Sequence, residues 1–260
     1  MFTVTYAQLN VWLTAFLWPF TRIAALIATA PVLGHTSIPA RVKIGLAAFI
    51  ALTVAPALPA MPQATVFSAN GVWIMITQFL IGAALGFTMQ LVFTAVEMAG
   101  MVIGLQMGLG FATFFDPSSN ASSQVISSFL NMIATLAFLA YNGHLQVMAA
   151  LIESFQSVPI TSAIVGPPGL NTLVQWGGAI FTAGLLLSLP VVIALLVANL
   201  SLGILNRAAP QIGVFQIGFS VTLLVGMLLL MLMLPNMIPF FAHLVETGID
   251  QMGRVAAALH

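Results

Sequence analysis

The chain has 260 residues, 61% of them hydrophobic and only 4% charged, with five cations against five anions. A soluble domain carries roughly 25% charged residues, so water cannot solvate this surface, and lipid or partner proteins must cover most of it. The absence of cysteine excludes disulfides, Cys-ligated zinc and thiol catalysis, and the lack of a basic patch argues against nucleic acid as a partner.

Residues Met1 to Asn10 hold no cation and do not make a secretory signal peptide. The first apolar stretch, about 9–33, is therefore expected in the mature protein. Further apolar segments fall at about 44–60, 71–95, 98–113, 125–150, 172–200 and 212–240. They are long and do not alternate, which favours helices over barrel strands. The segment 44–60 ends in a patch with Pro56, Pro59 and Pro62. The segment 98–113 is short and glycine-rich, and is expected to be a bent or re-entrant element. Loops are predicted at 34–43, 61–70, 114–124, 158–171 and 201–211. Gly-Pro-Pro-Gly at 166–169 is expected to interrupt regular helix.

No charge occurs from Ile44 to Val96 or from Ser154 to Asn206, and each interval holds about two helices of the ~20 residues a span needs. The chain reads as one all-helical integral membrane domain, 1–260. Arg41 and Lys43 lie in one short loop and Arg207 in another. The positive-inside rule places both in the cytoplasm. Six spans satisfy this, with 96–124 folded back on the cytoplasmic side and both termini outside. The more polar residues 241–260 suit an amphipathic surface helix.

Catalytic signatures are missing. There is no HExxH, no GxSxG elbow, no GxxxxGK[ST] loop and no aspartate pair in apolar helices. His35, His144, His243 and His260 are too far apart in sequence for a local metal site. No enzyme and no cofactor are expected.

The most unusual stretch is Gly100 to Asn120. Gly100, Gly104 and Gly108 lie at i, i+4 and i+8 and would form a smooth helical face for close backbone approach; Gly82 and Gly86 repeat the device. Gly108 and Gly110 then loosen the backbone. Phe111, Phe114 and Phe115 add bulk, and Asp116-Pro117 ends any helix. A plain buried loop and an apolar gate both fit residues 108–117. Met98, Met101 and Met107 flank the glycine face, as core filling or as a compliant pore lining. Arg22, inside the first apolar stretch, is costly to bury unless paired or snorkelling; Glu97, Asp116, a partner's carboxylate and the interface all remain open for it. Asn142-Gly143-His144 marks a helix end.

These stretches together closely resemble the FliR family of flagellar biosynthetic proteins in the bacterial type III export apparatus. The resemblance rests on WPFTRIAALIATAPVLG (18–34), IPARVKIGLA (38–47), IGAALGFTMQ (81–90), GLQMGLGFATFFDP (104–117), YNGHL (141–145) and LNRAAPQ (205–211). It implies a subunit of the export gate in the inner membrane, at the flagellar basal body. The gate is built with FliP and FliQ, is associated with FlhB, and passes unfolded flagellar subunits. It implies a FliP-like part at 1–157, a linker at 158–171, a FliQ-like hairpin at 172–240 and a tail at 241–260. It further implies that residues from Gly108 to Pro117 plug the closed pore, and that Asn206 and Arg207 lie near FlhB at a hairpin tip. In such assemblies neighbouring subunits, and not lipid alone, cover apolar helices. The alternative class is a self-contained secondary transporter or ion channel. That class favours inverted repeats and buried ionisable residues near the midplane, and the chain shows no clear inverted repeat.

Overall fold

The computed structural model describes residues 5–59, 61–62, 64–111, 124–161, 166–208 and 214–259. Among them lie seven α-helices and no strand. The helices are α1 (Tyr6–Thr29), α2 (Ala40–Val54), α3 (Ala69–Gln106), α4 (Gln124–Ala140), α5 (Gly143–Ser157), α6 (Pro167–Ala208) and α7 (Val214–Ala258). Short 3-10 turns follow α2 at Ala55–Ala57 and α3 at Leu109–Phe111. Five helices are long and apolar enough to cross a membrane, and α4 with α5 supplies a sixth if that broken pair is one span.

Three helices run further than their apolar segments suggest. The stretch 98–113 is not a separate re-entrant element, because α3 continues unbroken to Gln106. Its glycines are tolerated there because Gly100 and Gly104 are buried against protein. Gly-Pro-Pro-Gly does not exclude helix either: α6 begins at Pro167. A first-turn proline costs nothing, since its missing N–H has no partner in that turn. At the other end α6 continues to Ala208, into the expected loop. Residues 241–258 are the last turns of α7, which carries Pro235 and Pro239 inside it.

The chain divides into two compact units. One comprises Met1–Leu91, Asn142–Gly177 and Glu246–His260, and the other Val92–Tyr141 and Gly178–Val245. In the first, α2 returns along α1 with Ala47, Ala51 and Val54 turned inward. The connection into α2 is tight: Val32 takes φ 65°, and the Lys43 ammonium donates to the Gly34 carbonyl at 2.7 Å. α3 crosses α1 at its glycines. A methyl on Gly82 would run into the Arg22 carbonyl, and one on Gly86 into the Thr29 hydroxyl, with the Leu26 carbonyl 2.8 Å away. Both contacts advance together along the two helices, so α1 and α3 run in the same direction. The Trp176 indole N–H, near the start of α6, donates to the Thr88 carbonyl at 2.9 Å.

In the second unit α3 meets α4 at Gly100, where a methyl would sit 2.5 Å from Ser127 Cα. It meets α6 at Gly184, where a methyl would sit 2.9 Å from the Ala95 carbonyl. Phe93 stands edge-on between Phe138 and Phe241, with centroids 5.4 and 5.5 Å away. Small residues thus set the helix approaches, and aromatic edges fill the space beside them.

Candidate functional site

Two places hold the residues singled out by sequence. The first is Arg22, whose side chain is fully buried. Its Nε–H donates to the Gln78 side-chain oxygen at 2.8 Å. One terminal nitrogen donates to the Ser154 carbonyl at 2.9 Å and hydroxyl at 3.2 Å, and the other to the Val158 carbonyl at 2.8 Å. The Phe155 ring faces the guanidinium at 4.3 Å. Arg22 therefore neither snorkels nor pairs with Glu97, which is exposed; Asp116 lies outside the described residues.

The physical reason lies in α5. Ser154 and Val158 stand at its C-terminal end, where the dipole is negative and carbonyls can accept further donors; the Ser154 carbonyl takes the Arg22 guanidinium in addition to the Val158 N–H. A guanidinium suits that end because its planar fork reaches several acceptors at once. The aromatic face adds a cation–π contact. Arg22 thereby ties α1, α3 and the end of α5 together. Two buried donors, the Trp18 indole N–H four residues before Arg22 and the amide nitrogen of its partner Gln78, have no hydrogen-bond partner among the described residues.

The second place is the end of α3. Met107 is fully buried. Its side chain fills the notch at Gly226 of α7, where a methyl would lie 2.6 Å from Met107 Cγ. Its carbonyl accepts the Thr222 hydroxyl at 3.3 Å. Met107 thus does not line an open surface of this chain, because Gly226 leaves it an internal socket. Met98 is half-buried beside Gly184, and Met101 is exposed. The next residue, Gly108, leaves the helix with φ 85°, a left-handed conformation natural to glycine at a helix C-terminus. Gly110 and Phe111 follow in the 3-10 turn. Phe114, Phe115, Asp116 and Pro117 lie outside the described residues.

The remaining cations sit at helix ends. Arg41 is exposed and Lys43 half-buried in the first turn of α2, while Asn206 and Arg207 are exposed in the last turn of α6. Asn142 breaks α4 from α5 through its backbone, with φ 56° and no side-chain cap. Among the described residues no three His, Asp or Glu side chains are grouped to hold a metal. Gln78, Ser154, Thr222 and Gly226 escaped sequence reasoning. Gln78 carried the one available signal, an amide within an uncharged apolar run, a signal that Gln90 shares.

Comparison with known proteins completes the picture. The model of the bacterial export proteins, family 1, matches residues 13–248. The flagellar biosynthetic protein FliR of Pectobacterium carotovorum is 47% identical over 248 residues, covering 95% of each chain. That of Escherichia coli K12 is 46% identical over 244 residues, covering 94% of this chain and 93% of its own. That of Bacillus subtilis is 28% identical over 249 residues, covering 94% and 95%. The chain belongs to the FliR family of flagellar biosynthetic proteins, within the bacterial export proteins, family 1.

Proposed function

We propose that this chain is a non-enzymatic core subunit of the flagellar protein export gate, in the bacterial inner membrane at the basal body. With FliP and FliQ, and beside FlhB, it forms the pore through which unfolded flagellar subunits leave. Family membership supports the export role. The observation that supports a shared assembly is the length of the apolar helices. α6 has 42 residues, about 63 Å at ~1.5 Å per residue, against a hydrocarbon core of ~30 Å. Lying wholly within that core would need a tilt of about 60°, outside the usual ~0–40°. Yet the helix carries no charge before Arg207, and Val174, Phe181, Leu186, Val197 and Leu200 stand exposed along it. Neither water nor lipid suits its whole length, and neighbouring apolar helices do.

Within that assembly, residues Gly108 to Pro117 act as the plug and Met98 and Met101 face the passing chain. A buried Met107 followed by a left-handed Gly108 supports a firm base with a hinge directly after it. Arg41, Lys43, Asn206 and Arg207 face the cytoplasm. Coexpression with the FliP and FliQ counterparts, extraction in mild detergent and native mass measurement test the proposal. A discrete hetero-oligomer containing this chain is expected. A stable, partner-free monomer would overturn it in favour of a self-contained transporter.

A further inference from the structure

α2 differs from the other long apolar helices in length and in what it leaves open. With its closing 3-10 turn it forms an apolar candidate span, Ala40–Ala57, of 18 residues. That is about 27 Å at ~1.5 Å per residue, matching a hydrocarbon core of ~30 Å. Only Ala47, Ala51 and Val54 turn inward, while Val42, Phe49 and Leu52 are 58%, 70% and 63% exposed. A helix of this length and composition fits a lipid environment end to end.

The outward face is not uniform. Arg41, Gly45 and Phe49 follow one another at i, i+4 and i+8, so they stack on one side of the helix. Gly45 has nothing within 4 Å of where its Cβ would stand. The helix therefore carries a notch one turn below an exposed cation, with Val42 and Leu46 beside it and Phe49 beneath. No inward contact accounts for a residue that weakens a helix. Arg41 has no side-chain hydrogen bond or ion pair among the described residues, whereas Lys43 is engaged with the Gly34 carbonyl. No acidic residue stands in this first turn, so the positive end of the helix and Arg41 add without compensation.

We propose that the outer face of α2 holds one anionic phospholipid, its phosphate at Arg41 and an acyl chain lying across Gly45 above Phe49. A guanidinium pairs with a phosphate in bidentate fashion, and a side-chain-free notch lets a chain lie close to the backbone. The surface is a lipid seat, independent of which subunits cover α6.

The test uses the full chain with whatever partners copurify, stripped of lipid. Phosphatidylglycerol or phosphatidylcholine with identical acyl chains is then added, and bound lipid is counted by native mass spectrometry. Phosphatidylglycerol is expected to be retained preferentially. R41Q should cut that preference roughly five-fold, the weight of one cation near an anionic surface. G45L should lower retention of both lipids by filling the notch, and R254Q should change neither. Equal retention of the two lipids, or a preference unmoved by R41Q, would overturn the proposal. A photo-crosslinker at position 49 separates the other occupant: adducts to lipid support the seat, and adducts to a protein chain refute it.

Discussion

Arg22 shows how a residue that hydropathy marks as an error becomes a structural tie. Among the described residues its positive charge has no carboxylate, but four neutral oxygens from α3 and the end of α5 surround it. Replacing it by leucine would remove the donor to the Gln78 oxygen and the Val158 carbonyl, each costing about 1–3 kcal/mol if left buried and unpaired, while the Ser154 carbonyl would keep the Val158 N–H. R22L should therefore destabilise the chain by several kcal/mol, read as a fall in thermal midpoint in detergent. R22K should lie between it and wild type, because one ammonium cannot span acceptors on two helices in the guanidinium's planar geometry. An R22K protein as stable as wild type would mean that charge alone, not the fork, holds the helices. The anomaly of Arg22 was legible in the sequence, but its partners were not. Two are backbone carbonyls 132 and 136 residues away, and a carbonyl has no residue type for a pattern to reveal.

At the scale of elements, glycine falls into two classes. Gly82 and Gly100 let helices of this chain touch, and a methyl at either would meet backbone. G82A should thus lower stability by at least about 1–3 kcal/mol, the usual cost of overpacking, read from the same thermal midpoint. Gly178 and Gly203 in α6 have open space where a Cβ would stand. Glycine in a helix interior costs about 1 kcal/mol relative to alanine, so G178A should stabilise the isolated chain by about that amount. If neighbouring helices approach α6 closely there, G178L should leave the monomer folded while reducing its incorporation into the hetero-oligomer, measured by copurification yield. Undiminished incorporation would show that no close approach occurs at that position. The helical class and most segment centres were legible from apolar run length. Helix ends were not. Glycines, a proline pair and the polar residues near 201–208 and 241–258 each look like breaks to a window about one bilayer long. In the folded chain, protein contacts carry α3 past its glycines and seat the start of α6 against Leu259, and α7 stays partly buried to its end, while α6 continues through 201–208 largely exposed.

At the scale of the whole molecule, the surroundings of α6 decide the reading, because its length is about twice the ~30 Å hydrocarbon core of a bilayer. The chain has no cysteine, so single cysteines along α6, from Leu170 to Leu205, can report their surroundings without a background. In the assembled gate, a membrane-impermeant maleimide should fail to label the exposed apolar positions Val174, Phe181, Leu186, Val197 and Leu200, because neighbouring subunits cover them. In the chain expressed alone and extracted in detergent, labelling at one end should rise, since a helix of about 63 Å outruns the hydrocarbon and its surplus loses cover. The same complexes test the plug. Deleting Gly110 to Phe115 should leave the native mass of the assembly unchanged apart from the missing residues, yet make reconstituted vesicles leak ions. The two results are separable. Protection along α6 with no leak would keep the shared assembly and remove the plug from 108–117. Labelling that does not change on assembly would mean that α6 meets the same environment with and without partners. Its length would then have to be explained by strong tilt or by bending at Pro190, and the case for neighbouring subunits as its cover would be lost.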